Sequence, residues 1–179
     1  MFYVSEIRHK PPVQFKTPLQ EQVYNTLEDL NIPFERVETH EAITMEDCAA
    51  INERLNINMV KTLFLCNRQQ TDYYLFITVG SKPFSSKSFS NALGISRVSF
   101  APAEQMEKIL GTKIGAATVF SSLLDKENKV RLVFDKEVIR EKWYGCSDGT
   151  TTGYMKLSTE DILQRLLPFT RHIPTVIEV

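Results

Sequence analysis

The chain reads as an α+β protein: a single domain with a mixed, mostly antiparallel sheet, curved or closed into a barrel, and helices around it. Two observations predict this. Strand-like and helix-like segments are interspersed without the strict strand–helix–strand alternation of a doubly wound fold. The two strongest strand runs, "MVKTLFLC" (59–66) and "YYLFITV" (73–79), are separated only by the polar "NRQQTD", as in a hairpin. At 179 residues the chain is long enough to bury one sizeable core. The reading divides it into an N-terminal extension, 1–16, and one domain, 17–179.

The extension carries Pro11-Pro12 and little periodicity, so it is expected to be extended. Thr17-Pro18-Leu19-Gln20 then combines an N-cap, a proline at the first helical position and a capping-box glutamine. Leu19, Val23, Leu27 and Leu30 follow at helical spacing until Pro33. Phe34 to Glu38 fits a short strand. Thr44 to Asp47 opens a second helix with Cys48, Ile51 and Leu55 on its apolar side. After the hairpin come a helix from Ser86 to Leu93 ended by Gly94, a strand in "RVSFA", and a helix from Pro102 to Leu110 stopped by Gly111. "KVRLVFD" is a further strand. The glycine- and threonine-rich "YGCSDGTTTGYMKL" reads as a turn leading to a last helix, 159–167, capped by Ser158. No internal repeat or low-complexity segment interrupts this order.

Composition excludes several classes. With 21 basic and 22 acidic residues the net charge is −1, unlike domains that grip nucleic acid through bulk positive charge. No apolar run approaches the roughly 20 residues of a membrane span. The opening "MFYVSEIRHK" lacks the order of a signal peptide. Three scattered cysteines, Cys48, Cys66 and Cys146, suit free thiols in a reducing cytoplasm.

Chemistry is harder to find. "GTKIGAATVFSSLLD" (111–125) gives up side chains in an otherwise well-filled sequence. It is no Walker loop, because Ala116 stands where the lysine after the second glycine is required. Nor is it a three-glycine dinucleotide fingerprint. Either Gly111 ends a helix and Gly115 makes a turn, or the small residues make room for a ligand at the backbone. Lys61 is a charge inside a strongly apolar strand. Its ammonium either snorkels to water or serves a pocket. His9, His40 and His172 lie far apart and no cysteines are spaced as ligands, so no metal is expected. Cys146 has no histidine nearby in sequence, and a buried structural thiol is its commoner role. Ser85-Ser86 and Ser121-Ser122 lack a G-x-S-x-G setting.

Four segments, in order, resemble the YbaK/ProX family, the stand-alone relatives of the editing domain inserted in bacterial prolyl-tRNA synthetases. They are "THEAITMEDCA", "VKTLFLCNRQQTDYYLFI", "SRVSFAPAEQMEKILGTKIGAATVFSSLLD" and "GCSDGTTTGYMKLSTEDIL", and the resemblance as a whole covers roughly residues 17–168. Within the family the chain looks most like the alanyl-tRNA(Pro) deacylases. Two positions depart from the pattern. Ile114 stands where the loop commonly has proline, and the late turn offers Tyr144, Cys146 and Asp148 where a histidine is often found.

The resemblance implies an enzyme that hydrolyses the ester joining a wrong amino acid to the tRNA 3′ end, without cofactor or metal. It places the family's functional lysine at Lys61 and the catalytic loop at Gly111 and Gly115, with backbone N–H groups serving the ester. It implies a substrate pocket walled by His40, Thr44, Met45, Thr62, Ala116 and Ala117, with Asp148, Thr150 and Thr151 on the water side. The implied partners are the acceptor end of tRNA(Pro) and prolyl-tRNA synthetase, in the cytoplasm. Lys82, Lys87, Arg97 and Lys113 form a modest basic rim in this reading. Two competing readings stand beside it: a silent module that binds aminoacyl-tRNA or senses an amino acid, and a deacylase for cysteinyl- or seryl-tRNA.

Overall fold

A computed structural model describes every residue but Ile43, and of Met45 the backbone only. Thr17 caps the first helix, α1 (Pro18–Asp29), its hydroxyl accepting the Gln20 N–H at 3.0 Å. The capping box closes one residue early, since the Gln20 side-chain carbonyl takes the Lys16 N–H instead. Leu19, Val23 and Leu27 are buried on one face, and Asn31, with φ of 54°, turns the chain out of the helix before Pro33. Strand β1 (Glu35–Glu38) follows. Helix α2 (Met45–Leu55) carries a complete capping box between Thr44 and Asp47 and ends at the left-handed Asn56.

Strands β2 (Val60–Cys66) and β3 (Tyr73–Val79) form the expected antiparallel hairpin. Helix α3 (Ser86–Leu93) and the short strand β4 (Ser99–Phe100) come next. The helix read from Pro102 to Leu110 is α4 (Ala103–Gln105), widening to a π-helical turn over Met106–Leu110 that Gly111 closes at φ of 69°. A 3₁₀ turn (Val119–Leu123) leads to β5 (Val130–Asp135) and a short α5 (Lys136–Arg140). The segment read as one turn is a hairpin, β6 (Trp143–Ser147) and β7 (Gly153–Ser158). Alternating buried side chains such as Tyr144, Cys146 and Met155 make it a sheet, while its glycines and threonines sit at the bend and beneath close neighbours. The last helix is α6 (Thr159–Asp161), a π-helical turn (Ile162–Leu166) and α7 (Leu167–Phe169), and β8 (Thr175–Ile177) ends the sheet.

Two open sheets result, and no barrel closes. One is five-stranded in the order β4-β2-β3-β5-β8, antiparallel around β2 and parallel around β5; the other is β1-β7-β6, all antiparallel. The main core lies between them, joining α1 with Phe64, Leu75, Phe134, Tyr144, Met155 and Leu166. A second cluster, with Phe76 and Phe89, packs α3 on the far face of the larger sheet. Burial on both faces explains why β3 is apolar from Tyr74 to Ile77. Helix α2 covers the smaller sheet through Val37, Ile51, Leu55 and Tyr154. The extension lies along β1, with Val4 bridged to Thr39 and Arg8 to Arg36. Among the described residues no helix is long and apolar enough to cross a membrane.

Candidate functional site

Among the described residues an isolated bridge between Met59 and Gly145 links the strands of the two sheets. Beyond it β2 has an open edge. Strand β4 pairs only with Leu65 and Cys66, and the Phe64 carbonyl accepts the Ala101 N–H at 2.9 Å. In an antiparallel strand alternate residues turn both backbone groups to the same side. Thr62, two residues from Phe64, therefore aims its N–H and C=O at this edge, where no strand pairs with it among the described residues. A pocket of about 400 Å³ wraps the edge. Lys61 and Thr62 project to opposite faces of β2, and both reach it because it spans both.

The wall opposite β2 is the glycine loop. Gly115, at φ of 90°, and Ala117 line the pocket, beside Ile114. A residue with a Cβ is strained at such a φ. The loop is pinned from behind: the Ser147 hydroxyl reaches the Ala116 carbonyl at 3.4 Å, and the Thr118 hydroxyl donates to the Ser147 carbonyl at 2.8 Å. The half-buried Lys61 ammonium donates one of its three protons to the Lys82 carbonyl. Lys82 itself, read as part of a basic rim, is held by Asp135 and Glu137, each at 2.7 Å. Burial raises the pKa of the Asp135 carboxyl, but hydrogen bonds from Lys82, Thr78 and the Glu137 N–H outweigh it and hold it below the usual range. Asp135 thus stays charged and anchors the segment that receives Lys61.

The two glycines of the loop have different jobs. Gly111 ends the π-helical turn, and a Cβ there would meet Leu124 at 2.5 Å. It lines a second cleft of about 570 Å³ behind the loop, together with Ala116, Thr150 and Thr151. Asp148 lines neither cleft. It is buried, with one oxygen accepting from Gln20 at 2.9 Å and Tyr24 at 2.8 Å and the other from the Thr150 hydroxyl at 2.7 Å. His40 is exposed and packs on Tyr3, away from both clefts. Thr44 is exposed as the cap of α2, and the Met45 side chain lies outside the described residues. Of the sequence-derived positions, Lys61, Thr62, Gly115 and Ala117 thus line the pocket, Gly111, Ala116, Thr150 and Thr151 line the second cleft, and His40, Thr44 and Asp148 line neither.

Several pocket residues were not singled out from sequence: Cys48, Met59, Phe100, Met106, Ser147 and Tyr154. Alternation within β6 and β7 was the available signal for Ser147 and Tyr154, hidden by the glycines around them. Neither nearby cysteine is poised as a nucleophile, because burial pushes the Cys48 thiol up and the fully enclosed Cys146 thiol further still. Among the described residues no three His, Cys, Asp or Glu side chains gather as metal ligands do. The pocket instead offers an ammonium, an unpaired strand edge and a loop without bulk. That suits a ligand with a phosphate or hydroxyl, a peptide-like amino or carbonyl group, and a small side chain.

A family model described as an aminoacyl-tRNA editing domain matches residues 39–164, which include the whole pocket. The chain is 25% identical to the prolyl-tRNA editing protein ProX of Acetoanaerobium sticklandii over 143 residues, 80% of this chain and 87% of that protein. Among solved structures, one described as a candidate trans-editing enzyme for prolyl-tRNA synthetase superposes with a TM-score of 0.66 at 16% identity, over 92% of this chain and 99% of the other. The hypothetical protein APE2540 superposes with a TM-score of 0.68 at 17% identity, over 87% and 98%. At these identities the structural likeness speaks for the fold alone.

Proposed function

From its membership of the family of aminoacyl-tRNA editing domains, we propose that the chain is a trans-editing deacylase that hydrolyses mischarged tRNA(Pro), with alanyl-tRNA(Pro) as its substrate. The observation that carries the reading is the pocket itself: Lys61, the open edge at Thr62 and the bare loop at Gly115 and Ala117 face one space. The 25% identical relative is a prolyl-tRNA editing protein, which gives the proline system as the context. The cytoplasm, where aminoacyl-tRNA is made, is the setting, and prolyl-tRNA synthetase the working partner.

The physical need is one of discrimination. A synthetase pocket built for proline cannot exclude alanine strongly, since each missing methylene is worth only about 1–3 kcal/mol. A second, narrower pocket sorts in the opposite sense. In this reading the ester lies against Gly115, where a side chain would block its approach, and loop N–H groups stabilise the developing oxyanion. The α-amino group donates to the Thr62 carbonyl, as a neighbouring strand would. Lys61 holds the phosphate or ribose of the terminal nucleotide, fixed from behind by the Lys82 carbonyl. Water, its proton taken up through the vicinal ribose hydroxyl, attacks the carbonyl carbon; the oxyanion then collapses, the ester C–O bond breaks, and the tRNA 3′-oxygen leaves with a proton. An aminoacyl ester is already activated, so positioning supplies much of the rate.

The test is a deacylation panel on tRNA(Pro) charged with alanine, cysteine, serine or proline. Alanine should be released and proline spared. Release of cysteine or serine in preference to alanine would reassign the substrate. Tight binding without release of any would make the chain a silent binding module.

A further inference from the structure

The chain has one tryptophan, Trp143, and it is 42% exposed. Trp143, Gly145 and Ser147 alternate along β6 and so share one face of the smaller sheet, with Ser158, Lys156 and Tyr154 opposite them on β7. Ser147 and Tyr154 line the pocket, so Trp143 stands on the same face further along. Gly145 lies between, bare because Met59 and Ile57 pack over it at about 3 Å from where a Cβ would sit. The indole also borders a cleft of about 350 Å³ whose other walls include Met59 and Val60, which belong to the pocket too. The two openings are thus the two flanks of one ridge.

Cations gather at the indole. The Lys142 and Lys156 ammoniums lie 5.3 and 5.1 Å from its centre, and Arg140 lines the same cleft. Lys156 is fixed there by the Leu55 carbonyl at the end of α2, at 3.2 Å. Of the acids nearby, Glu137 is bound to Lys82, leaving Glu141 on the rim. An aromatic ring among cations is how proteins hold single-stranded nucleic acid without reading its sequence, by base stacking and phosphate contact; a base stacking on this indole takes the place of an ammonium over the ring and leaves it free for phosphate.

We propose that Trp143 is a stacking platform for an unpaired base of the RNA strand that leads to the pocket, with Lys142, Lys156 and Arg140 taking its phosphates. The proposal rests on the deacylase reading for the identity of the strand. The spacing suits it. Four residues of strand separate Trp143 from Ser147, about 13 Å. That is about four stacked nucleotides at ~3.4 Å each, the length of the single-stranded 3′ end of a tRNA. With the ester at Gly115, the platform meets the foot of that single strand, where it leaves the acceptor helix.

Because Trp143 is the sole tryptophan, its fluorescence reports the contact directly, whether or not the ester is cleaved. The probes are two uncharged RNA hairpins, one with a four-nucleotide 3′ overhang and one blunt. The overhang hairpin should quench and shift the emission, and binding should weaken as salt rises; the blunt hairpin should do little. Trp143→Ala, followed by fluorescence anisotropy of a labelled hairpin, should lower overhang affinity by 5- to 150-fold, the range spanned by ~1–3 kcal/mol of stacking per base. Trp143→Phe should restore most of it. KM for charged RNA should rise with kcat retained. Equal response to both hairpins, or wild-type affinity in a folded Trp143→Ala protein, would overturn the platform. Quenching by the overhang from a wild-type protein that hydrolyses none of the charged tRNAs would uphold the platform and sink the deacylase reading instead.

Discussion

Replacing Asp148 by alanine should cost the protein stability before it costs chemistry. The carboxylate is buried beneath α1 and serves four donors: Gln20 Nε2, the Tyr24 hydroxyl, and the Thr150 N–H and hydroxyl. Gln20 and Tyr24 are themselves buried, so removing the acceptor strands two donors away from water. Each stranded donor costs about 1–3 kcal/mol. The Thr150 contacts also go, and with neighbours relaxing around the gap the total is about 3–5 kcal/mol, in the range for breaking a buried charged network. For a chain of this size about 2–4 °C of Tm accompanies each kcal/mol, so the midpoint should fall by roughly 6–20 °C. Asp148→Asn preserves shape but presents an amide donor to at least one existing donor, and should lose about 1–3 kcal/mol. The assay pairs thermal unfolding with single-turnover deacylation at a temperature where both variants are folded. Near wild-type rates per folded molecule are expected. A wild-type midpoint with the rate abolished would refute this reasoning and return Asp148 to direct contact with substrate.

Other changes separate the site from its scaffold. Lys61→Ala should abolish deacylation while shifting the unfolding midpoint little, since the ammonium gives up one bond to the Lys82 carbonyl; full turnover by the variant would remove Lys61 from the reaction. Gly115→Ala forces an L-residue to a φ of 90°, at about 1–2 kcal/mol. If the ester lies there its rate should fall by on the order of 100-fold, whereas a stability loss with an unchanged rate would make Gly115 a turn residue only. Asp135 has its pKa lowered in the folded protein, so its contribution to stability is complete above an unfolded value near ~3.9 and fades as pH falls through the folded one. Asp135→Asn should therefore be clearly less stable than wild type at neutral pH, with the gap narrowing in unfolding scans toward pH 3; a constant gap would mean Asp135 does not titrate as argued.

Local signals carried much of the fold. Thr17-Pro18 and the Thr44 capping box announced α1 and α2, and two apolar runs with a polar break announced the β2–β3 hairpin. The β6–β7 hairpin was obscured because Gly145 and Gly153 look like turn residues in sequence. They are strand residues stripped of side chains by Met59 and Ile57 on one side and by the Asp148 carboxylate on the other. The parallel placement of β5 beside β3 has no local signal at all, since it follows from pairing across more than fifty residues. The site divides in the same way. Lys61 and Gly115 stood out as a misplaced charge and a misplaced gap. The family resemblance put Asp148 on the water side of the pocket, and only Gln20 and Tyr24, contributed by α1 from far away in sequence, show that it faces inward.

The open edge of β2 has a bearing on how such a pocket is probed by substitution. Thr62 presents its main chain, and every residue but proline presents the same N–H and C=O. Alanine at this position would test the side chain that lines the pocket and leave the main-chain edge untouched. Proline is the informative replacement. The Thr62 N–H points away from β3, so its loss leaves the β2–β3 ladder bonds in place, as is usual for proline on an edge strand. It deletes the N–H from the edge and spares the carbonyl to which the proposed amino group donates, and so separates the two halves of a main-chain surface that no catalogue of side chains would contain.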